Sequence, residues 1–262
     1  MKFPILLPNI FNHPFTYESD LKLQVGDFVE VPFGKSKITG VVWDEFEKKN
    51  NKSFKTKQII KKFEVPKLKK STLKFLNWFA EYNVVPKGMA LKLILLSGKT
   101  ANRFDDKFYK PFCSKIKSHS IKLTNEQQLS LNEINISNQK FNVHVLQGIT
   151  GSGKTIVYFE ALKIILEKGY QGLVMLPEIG LTSQFEKKFI EFFGFSPAIW
   201  HSGISKKNKE IIWSGITTGE INVVIGARSS LFLPFKKLGL IIVDEEHDQS
   251  YKQDEGIIYN AR

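Results

Sequence analysis

Cysteine is nearly absent. Cys113 is the only one in 262 residues, which excludes an intramolecular disulfide and any zinc site built from several cysteines of this chain. Arginine is scarce as well, confined to Arg103, Arg228 and Arg262. Bidentate reading of guanine edges usually falls to arginine, whereas lysine acts as a point charge on phosphate. Any nucleic-acid contact is therefore expected to be largely independent of base sequence. Long apolar runs are lacking too. The opening MKFPILLPNIFNHPF carries one lysine and a short apolar stretch broken by Pro4 and Pro8, which suits neither a signal peptide nor a membrane span. A cytoplasmic chain without a membrane partner is expected. No internal repeat is evident.

What is present is an ordinary globular composition, 42% hydrophobic, with a net charge of +12 that is unevenly placed. Residues 1–122 hold 24 Lys and Arg against 11 Asp and Glu, whereas residues 123–262 hold 14 against 15. Lysines spread over a solvated surface would give such a surplus without any partner. Confined to one module, it is also the footprint of a binder of the phosphate backbone.

Texture changes along the chain at the same place. From Phe15 to Phe63 short alternating runs (FTY, FVEVPF, ITGVVW, QIIKKF) are separated by turn-type clusters such as QVGD and FGKSK, which predicts a small antiparallel sheet or barrel. After Pro66, Ser71 can cap a helix that places Leu73, Leu76, Phe79 and Tyr82 in the core. Residues 97–122 are basic and weakly periodic and read as a linker. From Leu123 onward, strand-like runs (VHVL, GLVML, AIW, NVVI, LIIV) alternate with helix-like segments. That alternation implies a parallel sheet covered on both faces, an α/β nucleotide-binding architecture. The predicted fold class is thus α/β, with a small mostly-β DNA-binding module (1–96), a linker (97–122) and a RecA-like lobe (123–262).

GITGSGKT, from Gly148 to Thr155, satisfies G-x-x-x-x-G-K-[ST] at each fixed position. Glycines at 148, 151 and 153 let the backbone of Thr150 and Ser152 turn its N–H groups toward phosphate. Lys154 then neutralises the β and γ phosphates, and Thr155 offers a hydroxyl to Mg²⁺. VHVLQ precedes the loop as an expected strand and TIVYFEALKIILEKG follows it as an expected helix. The complementary half is LIIVDEEHD at the end of an expected buried strand. Asp244 is the candidate for the Mg²⁺ shell and Glu245 for orienting and deprotonating the attacking water. A glycine-rich turn and an acidic surface loop are the bland readings of the two motifs. Their coexistence on alternating strands and helices favours ATP and Mg²⁺ as cofactors.

With both motifs in place the chain resembles a superfamily 2 helicase. The strings GITGSGKTIVY, GLVMLPEIGLTSQ, WHSG, IGARSSLFLPF and DEEHDQSYKQDEG, in that order, narrow the resemblance to the PriA family of replication-restart helicases. PFTYESD, VGDFVEVPFGKSKITGVVW and NWFAEYNVVPKG extend it to the N-terminal part. The resemblance implies an ATP-dependent 3′–5′ DNA helicase acting at stalled or abandoned forks to assemble a primosome. It makes His247 the last residue of a DEAH box, coupling nucleotide to the neighbouring domain. It also places Gln127, in LTNEQ, against the adenine, although Thr124 and Gln127 equally fit a helix-capping box.

Further roles follow from the same resemblance. Phe15, Thr16, Gly34 and Lys57 line a pocket for the 3′ end of a nascent strand, with Phe15 stacking on the terminal base and Lys57 near phosphate. Some relatives carry Asp where Thr16 stands. PEIGLTSQ and GARSSLF touch the single-strand backbone, Arg228 foremost. SYKQDEGIIYNAR is an aromatic-rich loop that senses DNA through Tyr251, Lys252 and Tyr259, with Ile257 where many relatives have Trp. Implied partners are forked or single-stranded DNA, other primosome proteins and single-strand-binding protein.

A winged-helix domain, the second RecA-like lobe with its arginine finger and the zinc-binding cysteines have no counterpart in this sequence. The 262-residue chain is therefore expected to bind ATP–Mg²⁺ weakly and not to unwind DNA, since an arginine finger supplies roughly 10³ to 10⁵ in rate. Two alternatives stay open on sequence alone: a non-enzymatic DNA-end-binding protein, and an unrelated P-loop ATPase that oligomerises to supply an arginine in trans.

Overall fold

The computed structural model describes residues 1–46, 56–96, 122–134, 141–149, 151–177 and 183–262. The expected linker lies outside them apart from Lys122, as do Thr150 and most of PEIGLTSQ.

The N-terminal sheet has six strands: β1 (Lys2–Leu6), β2 (Phe15–Glu18), β3 (Phe28–Phe33), β4 (Ser36–Val42), β5 (Lys57–Gln58) and β6 (Lys61–Lys62), in the order β5-β2-β1-β4-β3-β6. All neighbours pair antiparallel except β2 and β5. The sheet starts thirteen residues before the first expected strand. Pro4 hides β1 in the sequence, because a residue that cannot donate to the ladder usually argues against an internal strand. Here Pro4 sits opposite Thr16, and its carbonyl accepts from the Trp43 amide at 2.8 Å. The period-two alternation sorts side chains onto two faces. Ile5, Leu7, Tyr17, Val29 and Val31 form one cluster, while Leu6, Phe28, Val41 and Trp43 pack on the other side.

Helices α1 (Lys70–Tyr82) and α2 (Lys87–Leu95) cover that second face. Ser71 is not the cap: α1 begins at Lys70, and Lys69 at the cap position makes no side-chain bond. Leu73, Leu76 and Phe79 are buried as expected, but Tyr82 is 73% exposed. Its ring stacks on Trp78 at 5.1 Å. Position 82 belongs to the adjacent stripe of the helix, with 75 and 78, rather than to the buried one.

The C-terminal lobe comprises α3 (Asn125–Glu133), α4 (Lys154–Glu167), β7 (Gln171–Met175), α5 (Ser183–Phe193), β8 (Ala198–Trp200), α6 (Lys206–Thr218), β9 (Val223–Gly226) and β10 (Leu238–Val243). Its four strands run parallel in the order β10-β7-β9-β8. Val174, Val223 and Ile225 pack with Tyr158, Phe159, Phe189 and Phe193 of α4 and α5. Leu173, Met175 and Val224 face the other way, toward Trp213 and Ile216 of α6.

Two expectations for this lobe are corrected. VHVLQ is not a strand; residues 141–149 form no ladder, and Val143 and Val145 are largely exposed. LIIV is a strand, β10, but not a buried one. Among the described residues it is an edge of the sheet, paired with β7 alone, and Ile241 is 44% exposed. An apolar run becomes a strand only when a neighbouring backbone supplies hydrogen-bond partners, and among the described residues none lies beside 142–147.

The two parts share one core. A single hydrophobic cluster runs from Leu6 and Leu76 to Trp213 and Tyr259. Trp213 donates its indole N–H to the Ile94 carbonyl at 2.9 Å and meets Phe28 edge-on at 5.7 Å. Phe79 meets Phe232 and Tyr259 edge-on, at 5.0 and 5.5 Å.

Candidate nucleotide site and nucleic-acid interface

The phosphate-loop motif leads directly into α4, which starts at Lys154. Gly151 and Gly153 hold left-handed backbones, φ +83° and +82°, which glycine adopts without a steric penalty. A side chain at Gly148 would come within 2.6 Å of the Ser152 hydroxyl, and one at Gly153 within 2.4 Å of the Gln127 amide. Gly151 faces open space, whereas a Cβ at Gly148 or Gly153 would crowd the cradle. Lys154 Nζ lies across it, donating to the carbonyls of Gly148 at 2.6 Å and Ile149 at 3.3 Å. In the capping box of α3, the Thr124 hydroxyl accepts from the Gln127 amide and Gln127 Oε1 accepts from the Thr124 amide. The Gln127 side chain also donates to the Ser152 carbonyl at 3.2 Å, tying α3 to the loop.

DEEH follows β10. Tyr158, one turn into α4, donates its hydroxyl to Asp244 Oδ2 at 2.8 Å, and the Glu245 amide donates to Oδ1 at 3.0 Å. Asp244 is thus tied to the helix that carries Thr155, the other candidate for the Mg²⁺ shell. A hydroxyl and a carboxylate are the hard oxygen donors that Mg²⁺ takes, and the cradle suits phosphate, so these residues fit an ATP–Mg²⁺ complex. Burial in first place, and then the neighbouring Asp244 charge, hold the Tyr158 phenol far above the usual tyrosine range, so it stays a donor.

Glu245 has φ +47°, a left-handed backbone for a residue with a side chain. Such a conformation costs on the order of 1–3 kcal/mol and persists where the surroundings enforce it. Its carboxylate is exposed and lies 3.6 Å from His247 Nε2.

In the N-terminal sheet, Phe15 packs edge-on against Phe11 and Phe33, at 5.2 and 5.4 Å, and tilts against His13 at 5.0 Å. Phe11, His13 and Phe33 escape motif reading, although the aromatic spacing in FNHPF is a visible signal. Thr16 follows Phe15 on β2, and Lys57 sits exposed on β5, whose register sets Tyr17 opposite Lys57. Gly34 turns β3 into β4 at φ +59°, with open space where a side chain would stand. Phe15, Thr16 and Lys57 therefore share one edge of the sheet.

The segment after DEEH differs from expectation. Tyr251 is 1% exposed, and its hydroxyl lies between the carbonyls of Asp244 at 2.6 Å and Met175 at 2.9 Å. Tyr259 is 3% exposed and packs among Phe79 and Phe232. Burial pushes its phenol up to about 12, partly offset by Arg228. Neither ring offers a face to a base in this fold. Their sequence neighbours suggest an exposed loop, but each phenyl edge fills the shared core and each chain turn returns to it. Arg228, at the start of a 3₁₀ turn (Arg228–Phe232), donates to the carbonyls of Ser250 at 3.1 Å and Lys252 at 2.6 Å. Lys252 is exposed and paired with Asp254 at 3.0 Å. Arg228, Lys252, Gln253, Asp254 and Glu255 line an open polar cleft of about 380 Å³.

A phosphate cradle and a carboxylate joined to the helix that follows it, on a parallel sheet, define a P-loop nucleotide-binding protein. The family model described as DEAD/DEAH box helicase matches residues 124–261, and that described as the 3′ DNA-binding domain of PriA matches residues 4–96. The chain belongs to the DEAD/DEAH box helicase family, and that family implies the use of ATP and Mg²⁺. Within it, the chain matches the N-terminal portion of replication restart proteins PriA. It is 42% identical over 270 residues to that of Rickettsia conorii, covering 98% of this chain and 39% of the relative. To the Helicobacter pylori protein (strain 26695) it is 34% identical over 257 residues, with 95% and 38% covered. To that of Bacillus subtilis it is 37% identical over 176 residues, with 66% and 22% covered. The chain thus spans about two fifths of the length of the Rickettsia relative. A solved structure of RecG bound to a three-way DNA junction aligns with a TM-score of 0.45 and 34% identity, over 55% of this chain and 21% of that one. Among the described residues no helix is long and apolar enough to cross a membrane.

Proposed function

We propose that the chain is the DNA-end-recognising and ATP-binding portion of a replication-restart helicase. The observation that carries this reading is the bond from Tyr158 to Asp244, which joins the helix of the phosphate loop to the acidic motif 86 residues away. In this reading the amides of Thr150, Gly151, Ser152 and Gly153 hold the phosphates with Gly148 giving them room. Lys154 leaves its two loop carbonyls to pair with the β and γ oxygens. Gln127, already at the rim of the cradle through Ser152, contacts the adenine. Thr155 and Asp244 would hold Mg²⁺, which would supply positive charge against the phosphates. Glu245 orients and deprotonates water, and His247, paired with it, passes the state of the site to a neighbouring domain.

Phe15 with its aromatic neighbours stacks on the terminal base of a 3′ end, while Thr16 and Gly34 shape the pocket and Lys57 meets phosphate. Arg228 and Lys252 touch the single-strand backbone beside the polar cleft. Forked DNA is the substrate of this reading, with primosome proteins and single-strand-binding protein as partners in the cytoplasm. The family's zinc site draws on cysteines that this chain does not contain.

The test is two measurements on the 262-residue chain. Nucleotide binding, read with a fluorescent ATP analogue, is expected to fall at least tenfold in Lys154→Ala. Fork binding is expected to weaken when the nascent 3′ hydroxyl is replaced by a 3′ phosphate. DNA binding that ignores the end, together with no Lys154-dependent nucleotide binding, would refute the reading.

A further inference from the structure

The family motifs assign no role to Tyr158, yet it stands at the centre of the nucleotide site. It lies three residues after Thr155 on α4, so the two share one helix face. Its ring is 6% exposed and packs edge-on against Phe159 at 5.3 Å, which fixes the direction of its hydroxyl. That hydroxyl donates a hydrogen bond to Asp244 Oδ2 at 2.8 Å. The other carboxylate oxygen is taken by the Glu245 amide at 3.0 Å. One bond to each oxygen restrains the carboxylate against rotation about its Cβ–Cγ axis. From the opposite side, Tyr251 holds the Asp244 backbone carbonyl at 2.6 Å.

We propose that Tyr158 is a positioning residue for the metal shell: before nucleotide arrives, its phenol holds the Asp244 carboxylate, a candidate Mg²⁺ ligand, against the helix that carries Thr155. Partners that orient a metal's direct ligands are worth about 10- to 100-fold in metal affinity. Its hydroxyl bonds to Asp244 while the Lys154 ammonium goes to the carbonyls of Gly148 and Ile149, so the phenol governs the metal and not the bare nucleotide. This inference rests on the nucleotide site proposed above and assigns it one more residue.

The experiment titrates Mg²⁺ into the 262-residue chain with a fluorescent ATP analogue, comparing wild type with Tyr158→Phe, Asp244→Asn and the double variant. Phenylalanine keeps the buried ring and removes only the hydroxyl. The expected result is a rise of about tenfold in half-saturating Mg²⁺ for Tyr158→Phe. Affinity for the analogue in EDTA should stay within about twofold, and the substitution should have no further effect in the Asp244→Asn background. An unchanged Mg²⁺ requirement, an equal loss with and without metal, or additive effects in the double variant would overturn the role of Tyr158. Absence of any Lys154-dependent binding in the wild type would instead remove the nucleotide site and this inference with it.

Discussion

Two groups of aromatics were expected to meet DNA, and the fold treats them oppositely. In the N-terminal sheet, Phe15 sits at an edge among Phe11, His13 and Phe33, with Gly34 leaving open space nearby. In the C-terminal lobe, Tyr251 and Tyr259 are almost wholly buried, and Tyr251 spends its hydroxyl on two carbonyls. The difference lies in what each ring can complete. A phenylalanine at a sheet edge has no polar handle and only partial cover. A tyrosine in a core is stable there when its O–H finds a partner, and the ends of β7 and β10 supply one.

The comparison can be broken most decisively at Tyr251. Tyr251→Ala is expected to destabilise the chain by about 3–5 kcal/mol, as for a large core aromatic, and Tyr251→Phe by about 1–2 kcal/mol, since the two carbonyls lose their donor. Denaturant unfolding reads both. A Tyr251→Ala protein of normal stability but weakened DNA binding would show that the ring leaves the core to meet DNA. At the other pole, Phe15→Ala should weaken binding of a recessed 3′ end by about 1–3 kcal/mol while moving the unfolding midpoint little. Fluorescence anisotropy with end-labelled forks measures it, and equal losses for blunt and recessed ends would remove Phe15 from the end pocket. The smallest effect belongs to Lys57→Ala. It should lower the slope of log affinity against log salt by about 0.7–0.9, one phosphate contact, without changing preference among base sequences. An unchanged slope would place that lysine off the DNA.

Much of the nucleotide site was legible because its chemistry constrains local sequence. Gly151 and Gly153 take left-handed backbones and Gly148 leaves room for the Ser152 hydroxyl, and Lys154, Asp244 and Glu245 stand at fixed offsets from strand and helix ends. The capping box of Thr124 and Gln127 was legible for the same reason, as a contact across three residues. Contacts across long separations were not. Nothing near Tyr158 indicates that its hydroxyl meets Asp244, and nothing near Arg228 points to the carbonyls of Ser250 and Lys252. Pro4 concealed β1, and VHVLQ imitated a strand that has no partner beside it.

By itself, then, the sequence determined the change from a β-rich to an α/β half, the two-part division of charge, and the glycine and lysine pattern of the phosphate-loop motif. Backbone torsions, helix caps and side-chain periodicity act over a few residues, and so are written in a few residues. Only the tertiary structure decided which aromatics face solvent, which apolar runs pair into strands, and that the N-terminal module and the parallel-sheet lobe close on one core. Burial and strand pairing depend on groups brought together from distant parts of the chain, and no local pattern records who those neighbours are.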